Sequence, residues 1–187
     1  MRVVNWLLMA THVNEPGKVF WLFGLSGAGK TSLSEGCAER IRAAGKSVLL
    51  LDGDVLRRGV CRGLGFSDDD RRENVRRTAE MARVAADSGI TVIVALITPQ
   101  VSMRALAREI VGTQRFREIF VDAPIAECRR RDVKGLYASA ERGEIPNFTG
   151  LTSSFERPTS PDLVIETGTE PLESSIQRLS AYFFELK

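Results

Sequence analysis

Short apolar runs at residues 19–23, 48–51, 91–97, 119–121 and 163–165 are mostly β-branched or aromatic, and segments with helical spacing of apolar positions separate them. Runs that are apolar throughout, rather than alternating, belong to strands covered on both faces. Helices are predicted over 33–44, 70–88, 103–111, 124–131 and 172–186, the last amphipathic. This βαβ rhythm predicts an α/β fold, a three-layer sandwich with a mostly parallel sheet of about five strands between helices. Residues 132–161 break the rhythm with Gly135, Gly143, Gly150, Pro146, Pro158 and Pro161 among basic and aromatic residues, and only 134–141 reads as helical. A loop of that length is a lid or binding segment, or else a passive surface excursion. No internal repeat or low-complexity tract interrupts the pattern.

At 187 residues and 43% hydrophobic content, one core and one domain spanning 1–187 are expected, with a short extension at 1–17. Lys and Arg number 26 against 24 acids, a formal charge of +2, so nothing indicates a nucleic-acid or polybasic membrane surface. Partners are therefore expected to be small anions. Cys37, Cys61 and Cys128 are widely spaced and form no C-x-x-C pair, which argues against a disulfide framework or zinc site and fits a reducing cytoplasm. The apolar stretch 3–10 is short, interrupted by Asn5 and close to the next motif, unlike a detachable signal. No segment reaches the ~20 apolar residues that span a bilayer. His12, the one histidine, is read as incidental.

Directly after the first apolar run, Gly24, Leu25, Ser26, Gly27, Ala28, Gly29, Lys30 and Thr31 fit G-x-x-x-x-G-K-[ST], and Ser32 continues into a predicted helix. In such a loop, successive backbone N–H groups turn onto nucleotide phosphates, Lys30 supplies a point charge, and the Thr31 hydroxyl is placed for Mg²⁺. The fold class narrows accordingly to a P-loop NTPase type.

Phosphoryl transfer needs positioning and charge neutralisation near the acceptor hydroxyl. The strand 91–97 offers no acid at its end, whereas Asp52-Gly53-Asp54 lies where the second strand runs out, the end at which ligands gather in open parallel sheets. Asp54 is the candidate to orient or deprotonate the acceptor, and Asp52 is structural or holds metal-bound water; a plain Asp-Gly turn is the alternative. Helical spacing puts Arg71, Asn74 and Thr78 on one face, with Arg77 adjoining and Val75, Ala79, Ala82 and Ala86 as an opposite, buried stripe. That face either binds an anionic acceptor or is simply solvated. Phe66 and Phe148, in Gly-containing loops, stack on a base or pack in the core. Thr98-Pro99 reads as an N-cap followed by proline at the first helical position.

Together, GLSGAGKT, DGDVLR (52–57), GLGFSDDDRRENVRR (63–77), DVKGLY (132–137), GEIPNFTG (143–150) and SPDLVIET (160–167) resemble the adenylylsulfate kinase (APS kinase) family over roughly residues 18–167. The resemblance implies transfer of the γ-phosphate of MgATP to the 3′-hydroxyl of adenosine 5′-phosphosulfate (APS), giving PAPS and ADP in sulfate assimilation. It assigns 24–32 to ATP and Asp54 and Lys30 to catalysis. Thr31, with Asp52 through water and Asp54, is assigned to Mg²⁺. Asp54, Arg57, Phe66, Arg71, Asn74, Ile97, Thr98, Lys134, Phe148 and Thr149 are assigned to APS, with the two phenylalanines flanking its adenine. Arg129 and Arg130 stand where an arginine finger or two exposed helix residues are equally expected. The resemblance also implies a homodimer and a functional link to sulfate adenylyltransferase.

The chain departs from the family pattern in three places. Thr98-Pro99-Gln100-Val101 replaces Ser-Pro, an aromatic or His, then Arg; the serine is a phosphoenzyme position in the family, and Thr98 keeps a hydroxyl there. Ser154-Phe155-Glu156 replaces Pro-Tyr-Glu, and most of the family's N-terminal lead-in is absent. Two other readings remain open at this point: a P-loop kinase for a different small acceptor, and a nucleotide-binding regulatory module without turnover.

Overall fold

The computed structural model describes residues 16–186; the apolar stretch 3–10 and His12 lie outside them. The elements in chain order are β1 (Val19–Phe23), α1 (Lys30–Ala43), β2 (Val48–Asp52), α2 (Gly53–Arg58), α3 (Asp68–Asp87), β3 (Thr91–Ala95), α4 (Val101–Val111), β4 (Phe116–Asp122), α5 (Ile125–Arg131), α6 (Leu136–Glu141), β5 (Leu163–Glu166) and α7 (Leu172–Glu185). The five strands are parallel, in the order β2-β3-β1-β4-β5. Central β1 pairs on both sides, Val19 lying opposite both Val92 and Phe116.

Every β1 side chain is buried, because alternate residues enter different cores. Phe20 and Leu22 pack with Leu33, Ile41, Leu179 and Phe183 of α1 and α7. Val19, Trp21 and Phe23 pack with Val75, Ala79, Met103 and Ala107 of α3 and α4. This gives the expected helix–sheet–helix layering. Helices α1 and α7 approach closely: a Cβ on Gly36 would lie 2.3 Å from Ile176 Cδ1, so a larger residue there would require Ile176 to shift.

Several boundaries differ from the expectation. Strand β3 stops at Ala95, and residues 96–99 leave the sheet where Thr98 adopts a left-handed φ of 42° and Pro99 lacks an N–H. Helix α2 was not predicted. Asp52 caps it by accepting from the Asp54 N–H at 2.9 Å. Helix α3 starts at Asp68 because the Ser67 hydroxyl accepts from the Asp70 N–H, with three acids favouring the positive helix end. The predicted N-cap at Thr98 does not form. Gln100 holds that position, and Glu156 caps α4 from a distance, its Oε2 accepting the Val101 N–H at 2.6 Å.

The two stripes predicted for opposite sides of α3 are one. Arg71, Asn74 and Thr78 are buried beside Val75, Ala79, Ala82 and Ala86, so the arginine face is not solvated there. Spacings of four advance only about 40° round a helix, which is why the two sets merge.

Candidate functional site

A cavity of about 750 Å³ opens at the carboxyl ends of the strands and joins the phosphate loop to α2, α3, the 96–99 segment and the 132–149 segment. Ser26, Gly27, Gly29, Lys30, Thr31 and Ser32 line it, as do Asp52, Asp54, Arg57, Phe66, Arg71, Asn74, Ile97, Thr98, Lys134, Phe148 and Thr149. The predicted donor and acceptor residues thus meet in one space. Ala28 is instead wholly buried in the core, and Gly24 and Leu25 act through their carbonyls.

The phosphate loop is shaped by local chemistry. Gly24 has φ 150°, and a Cβ there would meet the Val121 carbonyl oxygen at 2.3 Å. Lys30 Nζ donates to the carbonyls of Gly24 (3.0 Å) and Leu25 (2.7 Å), which folds the ammonium back under the loop. Burial pushes the Lys30 pKa down from 10.5 to about 8, offset in part by Cys128 and the carboxylates of Asp52 and Asp54. Thr31 donates its hydroxyl proton to Asp52 Oδ2 at 2.8 Å, so Asp52 bridges the phosphate loop and α2.

Across the cavity, the Asp54 carboxylate pairs with Lys134 Nζ of the 132–149 segment, and both side chains are more than half exposed. Arg57 donates to the carbonyls of Leu64 and Gly65, both at 3.0 Å, and lies 4.3 Å over the Phe66 ring. Arg71 donates to Phe66 O (3.0 Å) and Asn147 O (2.8 Å), tying α3 to the later segment. Burial holds both guanidinium pKa values below the usual range for arginine. Asn74 Oδ1 and Thr149 Oγ1 are buried without a hydrogen-bond partner among the described residues, and both residues line the cavity. Such atoms carry a desolvation cost that a polar ligand would relieve.

Phe66 is 49% exposed, whereas Phe148 is 6% exposed and belongs to the core, edge-on to Tyr137 at 4.9 Å. Of the two alternatives, Phe148 takes core packing and lines the cavity as well. Thr98 is also buried, its hydroxyl accepting the Trp21 indole N–H at 2.9 Å.

Arg129 pairs with Glu141 and Arg130 with Glu127, both at the surface. The arginine that reaches the cavity is Arg131, donating to Thr167 O (2.6 Å) and Gly27 O (3.3 Å). Its signal was helical spacing: it follows the buried Cys128 by three positions. Tyr137, likewise missed, donates its hydroxyl to Ser26 O at 3.0 Å, and Asp132 holds α6 by accepting from the N–H groups of Tyr137 (3.0 Å) and Ala138 (3.1 Å). Thr167 was findable as the residue just past the carboxyl end of β5.

Cys37, Cys61 and Cys128 are free and buried. Among the described residues, no group of three or more His, Cys, Asp or Glu is placed to hold a metal, and no helix is long and apolar enough to cross a membrane.

A family model described as adenylylsulphate kinase matches residues 16–166. The chain is 49% identical over 166 residues to an adenylyl-sulfate kinase of Paraburkholderia xenovorans, covering 89% of this chain and 92% of the relative. It is 47% identical over 164 residues to one from Pseudomonas aeruginosa, covering 88% and 84%. The Mycobacterium tuberculosis APS kinase CysC, solved in complex with AMPPNP and APS, superposes with a TM-score of 0.86 at 41% identity, covering 91% of this chain and 97% of that one. The parallel sheet and the phosphate loop are therefore those of a kinase, and the chain belongs to the adenylylsulphate kinase family.

Proposed function

We propose that this protein transfers the γ-phosphate of MgATP to the 3′-hydroxyl of APS, forming PAPS and ADP. One observation carries the reading: a single cavity holds the phosphate loop with Lys30 on one side and Asp54, Arg57, Phe66, Arg71 and Asn74 on the other. A two-nucleotide kinase needs that arrangement. The loop N–H groups and Lys30 bind the donor phosphates. Arg57, Arg71 and Lys134 supply fixed cations for the phosphosulfate, Phe66 and Phe148 flank the adenine, and Asn74, Ile97, Thr98 and Thr149 shape the rest.

Thr31 Oγ1 and Asp52 Oδ2, 2.8 Å apart, are hard oxygen donors of the type Mg²⁺ takes, so the residues fit the ion. Thr31 would hold it directly and Asp52 through water, with Asp54 at the margin. When bound, Mg²⁺ neutralises charge on the transferring phosphate. Asp54 orients the acceptor hydroxyl and takes its proton as the new O–P bond forms and the bond from the γ-phosphorus to the bridging oxygen of ADP breaks. The Lys134 pair must open or be shared for this. An exposed pair of this kind is worth only about 0–1 kcal/mol, so the acceptor meets little resistance. Residues 132–161 act as a lid that excludes water, and Tyr137 ties that lid to the phosphate loop. The whole chain is read as one kinase domain in a reducing cytoplasm, working as a homodimer on APS supplied by a sulfate adenylyltransferase.

The test is turnover by the purified chain with MgATP and a panel of APS, AMP and gluconate. PAPS formation, with AMP and gluconate poor, is expected. Absence of product from APS in a folded protein would refute the reading.

A further inference from the structure

Behind the cavity wall, outside every role assigned so far, lies Arg104 of α4, only 2% exposed. Its guanidinium is shared by three separate segments. Nη1 donates to the carbonyls of Thr98 (3.0 Å) and Pro99 (3.3 Å), Nη2 donates to Glu156 O (3.0 Å), and Nε pairs with Glu118 Oε1 of β4 (3.1 Å). The plane also lies 4.6 Å over the Phe23 ring. Glu156 completes the circuit, its N–H donating to Pro99 O at 2.9 Å and its carboxylate capping α4.

We propose that Arg104 is a positioning residue for the acceptor nucleotide, holding the 96–99 wall of the cavity against the strap that carries Glu156. The wall needs such a hold. Thr98 is β-branched, sits at φ 42° and lies where β3 has already left the sheet, so its conformation persists only if neighbours over-determine it. Two consecutive carbonyls at that corner end on one guanidinium, and the Trp21 indole fixes the side chain from the opposite side. Arg104 does not line the cavity, whereas Ile97, Thr98 and Pro99 do. The wall meets the phosphate loop at Gly24, whose N–H donates to Ile97 O at 3.2 Å, ahead of the corner Arg104 holds. That contact precedes the corner at Thr98 and Pro99, so the larger effect is expected on the acceptor side. A lysine keeps the charge but not the fork that spans three acceptors.

This inference rests on the proposed function, so its test carries a readout that needs no substrate. In a Trp6→Phe background one indole remains, and its ¹H–¹⁵N resonance reports the Trp21–Thr98 hydrogen bond. Arg104→Lys is expected to shift that resonance and raise the KM for APS about tenfold, leaving the KM for ATP within about twofold. Glu156→Gln, which loosens the strap but leaves Arg104 in place, is expected to act in the same direction more weakly, and it replaces Arg104→Lys should that variant not fold. An unmoved resonance, an unchanged KM for APS or equal rises in both KM values would overturn the role of Arg104. A wild-type chain that makes no PAPS overturns the function reading itself.

Discussion

Lys30 offers a quantitative test of the donor site, because its proton is the one that burial makes easiest to lose. With the free-protein pKa near 8, the ammonium is largely present at pH 7. At pH 9 only about a tenth of it remains. Polyphosphate bound in the loop restores a negative neighbour and raises that pKa, so binding above pH 8 must draw in a proton. MgADP affinity should therefore fall about tenfold between pH 7 and 9, a loss of about 1.4 kcal/mol, with an uptake of about 0.9 proton per ligand at pH 9. Titration calorimetry in pairs of buffers with different ionisation enthalpies measures that uptake, and the ADP phosphates are already fully ionised in this range. Lys30→Met should bind weakly and show no uptake. Zero uptake at pH 9 in the wild type, or equal uptake in Lys30→Met, would refute the assignment. The ligand-free protein carries the opposite signature: its Lys30 pKa is lowered, so the unfolded chain binds more protons between pH 8 and 10.5, and this group's contribution to stability rises with pH across that window.

Asp54→Asn should lower kcat by about 10²–10⁴-fold, leaving MgADP affinity within about twofold by calorimetry. Phe148→Ala should cost about 3–5 kcal/mol in urea unfolding because its ring belongs to the core. Phe66→Ala should cost less than about 1 kcal/mol yet raise the KM for APS, since that half-exposed ring lies against Arg57 and Arg71 and lines the cavity. Thr98→Val should lose about 1–3 kcal/mol of stability by stranding the Trp21 indole N–H and still turn over, with no phosphopeptide containing Thr98 recovered from the working wild-type enzyme by mass spectrometry.

What could be read from the sequence, and what could not, follows from the range of each signal. Strand runs, the phosphate loop and the acids at the end of β2 are local patterns, and each is found in its predicted place, although β3 ends two residues before its apolar run does and β4 begins three residues before its own. Helix α2 spans six residues, fewer than two turns, too short for apolar periodicity to register. The merged stripe on α3 was legible in the spacing, since residues four apart advance only about 40° round a helix; the sequence did not show that this face is covered, so that polar Arg71, Asn74 and Thr78 are buried along with the alanines. Phe148 was read from its glycine-rich surroundings, yet its burial is decided by Tyr137, eleven positions earlier. Arg104 carried no local signal at all: its partners lie on β4, the 96–99 wall and the strap, and only the folded chain brings them to one guanidinium.

Thr98 shows why a side chain's chemistry cannot be judged apart from its seat. In sequence it has the hydroxyl a phosphoenzyme would need. In the fold that oxygen is 2.9 Å from an indole nitrogen that can only donate, in a residue 2% exposed, so one of its lone pairs is held by Trp21. A phosphate there would bring a charge of about −1.5 to −2 and three acceptor oxygens to a position with one donor beside it. Arg104, a cation bonded to this residue, already donates to the Thr98, Pro99 and Glu156 carbonyls and pairs with Glu118. A charge of that size in this seat would compete with the contacts that hold the acceptor wall. Direct transfer between two nucleotides held in the same cavity avoids that cost, and it uses groups that already face the cavity: Lys30, Thr31 and Asp54.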